Sequence, residues 1–170
     1  SDLPGRGAQH HGIFNQQPIT LVDDSYNAGP ASMAAALAGL AGSPPQIMVL
    51  SDMLELGDCT STAHDALVPQ LTPLVPREVI ALGPEMGRMT MALAAACPSV
   101  ACHLVDDSEQ AISLLASLVQ ENDRIFIKGS NGSGAHHVAS ALIADLTPTP
   151  EKTPDGARRT GPQEGKSHAA

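Results

Sequence analysis

Tryptophan is absent from this 170-residue chain, and aromatic rings are confined to Phe14, Tyr26 and Phe126. A core must therefore be aliphatic, built from Leu, Val, Ile, Ala and Met. Positive charge is scarce too. Nine Lys and Arg stand against 18 Asp and Glu, a net charge of −9 that excludes a broad nucleic-acid or anionic-membrane surface. A nucleotide is not excluded, because a few cations and helix N-termini suffice to hold phosphates. Cysteine is limited to Cys59, Cys97 and Cys102, an odd set without metal-ligand spacing, which fits a reducing cytoplasm rather than a disulfide framework. No apolar run reaches the length of a membrane span, and no secretory pattern opens the chain. The start at Ser1, in the loop-like Ser1-Asp2-Leu3-Pro4-Gly5, is expected of a piece of a longer protein.

What is present is enough for one globular domain, with 42% hydrophobic residues. Short apolar runs recur at 19–22, 47–50, 79–82, 103–105 (the weakest) and 125–127. Continuous β-branched runs suit strands covered on both faces. Residues 9–14 add an antiparallel edge strand. Helical patterns fill the gaps. One starts at Pro30 with Met33, Leu37 and Leu40 on one face; the next starts near Thr62 and ends before Pro73. A third opens at Gly83-Pro84-Glu85, a fourth at Asp107 with Gln110 as a capping box, and a last runs from about Ser133 to Asp145. The alternation predicts an α/β, Rossmann-like three-layer domain over residues 1–146, its mostly parallel sheet of about six strands flanked by helices on both faces. Residues 147–170, rich in Pro, Thr, Gly and Arg, are expected to form a disordered tail.

Chemistry concentrates after the strands. Asp23-Asp24-Ser25-Tyr26-Asn27-Ala28-Gly29-Pro30 follows the first parallel strand, and the carboxyl end of a strand is where open α/β sheets bind ligands. Asp24 there can accept both hydroxyls of a ribose, with Tyr26 and Asn27 flanking a sugar or base edge. An ordinary strand-to-helix turn, with Asp and Asn accepting from local backbone N–H groups, accounts for the same residues. Arg6, among Pro4, Gly5 and Gly7, offers a planar fork for phosphate, or simply a solvated charge. Lys128-Gly129-Ser130-Asn131-Gly132-Ser133-Gly134 has the glycines and cation of an anion cradle, although Lys128 precedes the glycines and no Walker A order is present. In Ser51-Asp52-Met53-Leu54-Glu55-Leu56-Gly57 the acids read as a carboxylate pair or an outer magnesium shell. The preferred alternative has Met53, Leu54 and Leu56 packing the loop while Glu55 caps a backbone N–H. The adjacent pairs His10-His11 and His136-His137 point in different directions, so no metal site is expected.

Together these motifs resemble the C-terminal domain of the Mur ligases, the ATP-dependent amide-forming enzymes of peptidoglycan precursor synthesis. Within that family the motifs are most similar to those of the branch that joins D-alanyl-D-alanine to a UDP-N-acetylmuramoyl tripeptide. The family's Asp-Asp-Ser-Tyr-Asn-Ala-Asn-Pro is matched from Asp23 to Pro30, with Gly29 for Asn. Its Gly-Asp-Met-Leu-Glu-Leu-Gly is matched up to Gly57, with Ser51 for the first Gly. Its Lys-Gly-Ser is matched at Lys128, Gly129 and Ser130, and its opening Gly-Arg at Gly5 and Arg6. Order and spacing agree over residues 4–146.

The resemblance implies ATP as the nucleotide, with Mg2+ held by a central ATPase domain outside this chain, against which this domain closes. It implies that Arg6 faces the γ-phosphate, Asp24 the ribose, and Tyr26 and Asn27 the nucleoside. Lys128, Ser130 and Asn131 would position the incoming dipeptide. It also implies that the domain alone has no turnover, and a cytoplasmic location. Two alternatives stand beside it. One is a non-catalytic nucleotide-binding or interaction module; the other is a folate-polyglutamylating type of ligase, whose equivalent turn carries histidine where Asn27 sits.

Overall fold

The computed structural model describes residues 3–150, and the remainder of the expected tail lies outside the described residues. Six strands form one sheet in the order β1-β2-β6-β3-β4-β5. They are β1 (Ala8–Phe14), β2 (Gln17–Asp24), β3 (Ile47–Ser51), β4 (Glu78–Leu82), β5 (Ala101–Val105) and β6 (Arg124–Lys128). Only β1 runs antiparallel, against β2, as the edge strand expected there. The helices are α1 (Pro30–Gly39), α2 (Thr60–Asp65), α3 (Val68–Leu71), α4 (Pro84–Ala96), α5 (Ser108–Leu118) and α6 (Ala135–Asp145).

The apolar runs are continuous because both faces are covered. Along β3, Met48 and Leu50 pack with Met33 and Leu37 of α1, Leu71 of α3 and Met86, Met89 and Leu93 of α4. Ile47 and Val49 point the other way, to Ala111 and Leu115 of α5 and Val138, Ala139 and Leu142 of α6. Period-two geometry thus sorts one run into two cores. The buried methionines all lie in the first, beside its leucines, where an unbranched side chain fills the gaps that aromatics would otherwise fill. The run in β5 is weak because β5 is the far edge, and Leu104 stays 58% exposed.

Two helix boundaries depart from the sequence pattern. The single helix expected from Thr62 to before Pro73 is instead α2 and α3, flanked by 3-10 turns at Gly57–Cys59 and Thr72–Leu74. Pro69 is the cause, since it lacks an N–H and its ring collides with the carbonyl one turn back. The last helix begins at Ala135 rather than Ser133. Gly134 at φ +103° is its N-cap, and the Ser133 hydroxyl donates to the Ser130 carbonyl at 2.5 Å inside the loop. At α5 the expected cap forms: Asp107 accepts from the Gln110 N–H at 2.8 Å, and the Gln110 side chain reaches back to the Asp106 N–H at 3.0 Å. Past the expected domain boundary, Thr147 still pairs with Ile13 through two backbone hydrogen bonds of 2.8 and 3.1 Å.

At the amino ends of the strands, Arg77 grips the buried Asp123 carboxylate through both terminal nitrogens at 2.9 and 2.7 Å. That contact raises the guanidinium's already high pKa. It fastens the end of the sheet opposite the motifs.

Candidate functional site

From β2 the chain leaves through α1 on one face of the sheet. Beside it, β6 leads into α6 on the other. Diverging connections on neighbouring parallel strands open a crevice, the usual ligand position in doubly wound sheets. The register puts Asp24 opposite Lys128 at its floor.

These two side chains form an ion pair, Lys128 Nζ to Asp24 Oδ2 at 2.8 Å, with the lysine side chain 3% and the aspartate 20% exposed. The ammonium also donates to the Asn27 carbonyl at 2.9 Å. Asp24 Oδ1 has no hydrogen-bond partner among the described residues. A half-open carboxylate steadied by a buried cation is suited to accept hydroxyl donors such as a ribose diol. The ribose hydroxyls of a nucleotide such as ATP fit this acceptor.

Neighbouring Asp23 works inside the fold. Its Oδ2 accepts from the Gly5 N–H at 3.1 Å, and its Oδ1 from the Ser25 N–H at 3.1 Å and the Ser25 hydroxyl at 2.5 Å. With the Ser25 proton committed to Asp23 and His136 Nδ1 3.5 Å away, this Asp-Ser-His grouping is a turn clamp rather than a nucleophile. The clamp sets the place of Arg6. Gly5 at φ +72° lies so close to the turn that a Cβ would come within 2.9 Å of the Tyr26 nitrogen. Its carbonyl accepts from the Tyr26 N–H at 2.8 Å. Arg6 then stacks on the exposed Tyr26 ring, 4.4 Å from its centroid, a contact worth about 0.5–1 kcal/mol at an exposed site.

The glycine-rich loop after β6 is not an anion cradle in this conformation. Its Ser130, Asn131 and Ser133 N–H groups already donate to the Asp52 carbonyl, the Asn27 side chain and the Ser130 carbonyl. Gly129 is required for another reason: a Cβ there would sit 1.6 Å from Ser51 Oγ. Ser130 is an internal bridge, donating to the Ala28 carbonyl at 2.7 Å and accepting from the Leu54 N–H at 2.9 Å. Asn131 is exposed at the rim.

The loop after β3 also reverses its expected roles. Asp52, not Glu55, caps a backbone: its carboxylate accepts from the Met86 and Glu85 N–H groups at 2.7 and 3.3 Å, at the positive end of α4. Glu55 is exposed, in a left-handed conformation at φ +61°. Buried His64 accepts from the Met53 N–H through Nε2 at 3.0 Å, so its Nδ1 carries the proton donated to the Thr60 carbonyl at 2.7 Å. Sequence reasoning missed this histidine, since only the packing of α2 beneath the loop makes it a partner. Away from the cleft, burial pushes the Cys102 thiol up, away from the reactive thiolate.

Three loops, 27–29, 54–56 and 130–131, enclose a cleft of about 440 Å³. Asn27, Ser130 and Asn131 line this cleft, and the Asp24–Lys128 pair lies beside it, tied to its wall through the Asn27 carbonyl. Arg6 and Tyr26 are coupled to its β2 wall through Asp23.

Fold and cleft define a doubly wound domain with its ligand crevice at the switch point. The chain belongs to the Mur ligase family: the family described as "Mur ligase, glutamate ligase domain" matches residues 10–131. Among curated relatives, the UDP-N-acetylmuramoyl-tripeptide--D-alanyl-D-alanine ligase of Synechocystis is 32% identical over 131 residues, covering 76% of this chain and 28% of that protein. The enzyme of the same name from Mycobacterium tuberculosis strain H37Rv is 31% identical over 150 residues, covering 76% and 29%. The chain therefore spans under a third of these relatives' length. A crystal structure of MurF ligase from Thermotoga maritima in complex with ADP shares the fold at a TM-score of 0.67 and 24% identity, over 85% of this chain and 32% of that one. MurF from Acinetobacter baumannii gives 0.64 at 25% identity, over 85% and 31%.

Proposed function

We propose that this domain is the closing half of an ATP-dependent ligase that joins D-alanyl-D-alanine to a UDP-N-acetylmuramoyl tripeptide in the cytoplasm. The observation that carries this reading is the Asp24–Lys128 pair at the β2–β6 switch point, beside a cleft lined by three matched motif loops. Family membership and the names of the relatives supply the reaction.

In this reading a central ATPase domain of the same protein holds ATP and Mg2+. The γ-phosphoryl group passes to the terminal carboxylate of the tripeptide, releasing ADP. The dipeptide ammonium first loses a proton to solvent, the free amine attacks the acyl phosphate, and the tetrahedral intermediate collapses, phosphate leaving with the second amine proton as the amide bond forms. The cleft domain contributes position and closure. Asp24 accepts the ribose hydroxyls through the oxygen that Lys128 leaves open, and Tyr26 and Asn27 flank the nucleoside. Arg6 leaves its stack on Tyr26 to meet the γ-phosphate. Lys128 and Ser130 act on the dipeptide through the loops they hold, while Asn131 touches it at the rim. Closure brings amine and acyl phosphate together and excludes the water that would hydrolyse the latter.

The test is phosphate release by the full-length protein with ATP and UDP-linked tripeptide. Release should depend on D-alanyl-D-alanine, and Arg6→Ala should lower kcat at least ~100-fold, as loss of a charge-stabilising donor does. Release independent of the dipeptide, or an Arg6→Ala enzyme of normal kcat, would refute the reading.

A further inference from the structure

Only one of the residues that line the 440 Å³ cleft is ionisable, and it is an acid, Glu55. No lysine or arginine lines the cleft. Lys128 is 2% exposed and bonded to Asp24 and the Asn27 carbonyl. Arg6 lies over Tyr26, and Arg88 is held by Asp65 and Glu85. Glu55 itself enters no ion pair or hydrogen bond among the described residues. An anion in this cleft would therefore face a carboxylate, with the amides of Ser130, Asn131 and Ser133 already committed. A cation would meet the complementary charge.

The backbone fixes where that charge stands. Met53 and Leu54 are tied to His64 and Ser130 on one side, and Thr60 closes onto the Gly57 carbonyl at 2.7 Å on the other. Between these ties Glu55 is held left-handed, a conformation rare for a residue with a side chain. Glycine would adopt it with less strain.

We infer that Glu55 is the recognition group for the ammonium end of the amine substrate, and so sets specificity for a free primary amine. The identity of that amine rests on the ligase reading; the charge argument does not. A dipeptide enters as its ammonium at neutral pH. The carboxylate accepts its N–H bonds and holds the nitrogen at the β3 wall of the cleft.

Two measurements test this. In the first, the 170-residue chain is titrated with D-alanyl-D-alanine and with its N-acetyl derivative, following backbone amides by NMR. The free dipeptide should shift Leu54, Leu56 and Asn131, the N-acetyl form should not, and Glu55→Gln should abolish the response. Equal shifts from both compounds, or none from the free dipeptide, overturn the inference. In the second, Glu55→Gln and Glu55→Gly in the full-length ligase should each raise KM for the dipeptide about tenfold, the loss of one charge-assisted hydrogen bond, with KM for ATP unchanged. Glu55→Gly should also be at least as heat-stable as the parent, which separates lost charge from a damaged loop. Normal dipeptide KM in both variants overturns the inference while leaving the ligase reading intact. Wild-type enzyme without dipeptide-dependent phosphate release defeats the ligase reading instead, and the NMR comparison then decides the charge inference alone.

Discussion

Asp24→Asn is expected to destabilise the domain more than Lys128→Met, although both remove the same ion pair. In the first variant the Lys128 ammonium, 3% exposed, keeps its charge but loses its countercharge, left with two neutral acceptors, the Asn27 carbonyl and the amide oxygen of the new side chain. Stranding a buried charge costs about 3–5 kcal/mol, and the amide oxygen standing in the carboxylate's place keeps the loss near the lower end. In the second variant Asp24, with 20% of its side chain open to solvent, rehydrates, and the methionine chain fills the lysine's place. About 1 kcal/mol is expected there, mostly the lost hydrogen bonds. Asp24→Asn combined with Lys128→Met should recover much of the single Asp24→Asn loss, a coupling that urea unfolding of the 170-residue chain resolves. Additive losses would mean that the pair does not hold the crevice together. On the ligase reading, the double variant of the full-length protein should restore stability while KM for ATP stays raised, which separates structural from ligand-binding effects at Asp24.

Gly129→Ala should be the most damaging single methyl group that can be added to the β6 end of the cleft. The new Cβ would lie 1.6 Å from Ser51 Oγ, 2.9 Å from Ser51 Cβ and 2.9 Å from Ala135 Cβ. No rotamer of Ser51 relieves all three contacts, so β3 and β6 must separate where they carry the cleft loops. Overpacking of this kind costs about 1–3 kcal/mol and occasionally more, and the backbone location points to the upper end. For a domain of this size that is a fall in Tm of roughly 10 °C. Ser51→Gly removes two of the three contacts, and should return about half of the loss when combined with Gly129→Ala. A melting temperature within 2 °C of the parent for Gly129→Ala alone would count against the account; the stated threshold is about the precision expected of a ~0.5 kcal/mol effect.

The architecture was legible because the two-sided burial of strands such as β3 leaves a plain mark, an uninterrupted apolar run with Met48 and Leu50 for one core and Ile47 and Val49 for the other. That the strand-end polar residues gather at one end of the sheet was legible for a similar reason: each cluster follows the carboxyl end of a parallel strand. Their individual duties were not. Whether Lys128 offers its charge to a ligand depends on the β2–β6 register, which places Asp24 opposite it. The acids of the β3 loop exchanged roles because the start of α4 happens to lie over Asp52, a contact between segments that local sequence does not encode. Gly129 looked like part of an anion loop, yet its reason is the close approach of Ser51.

The claim on which the rest depends is that three loops of this domain close on nucleotide and amine together. Hydrogen–deuterium exchange on the full-length ligase, with and without a non-hydrolysable ATP analogue plus UDP-linked tripeptide and D-alanyl-D-alanine, tests it most directly. Slower exchange is predicted together at 24–29, 54–56 and 130–132, with residues 72–78 at the amino ends of the strands unchanged. Protection confined to those amino ends, or absent from all three cleft loops in a turning-over enzyme, would contradict the account.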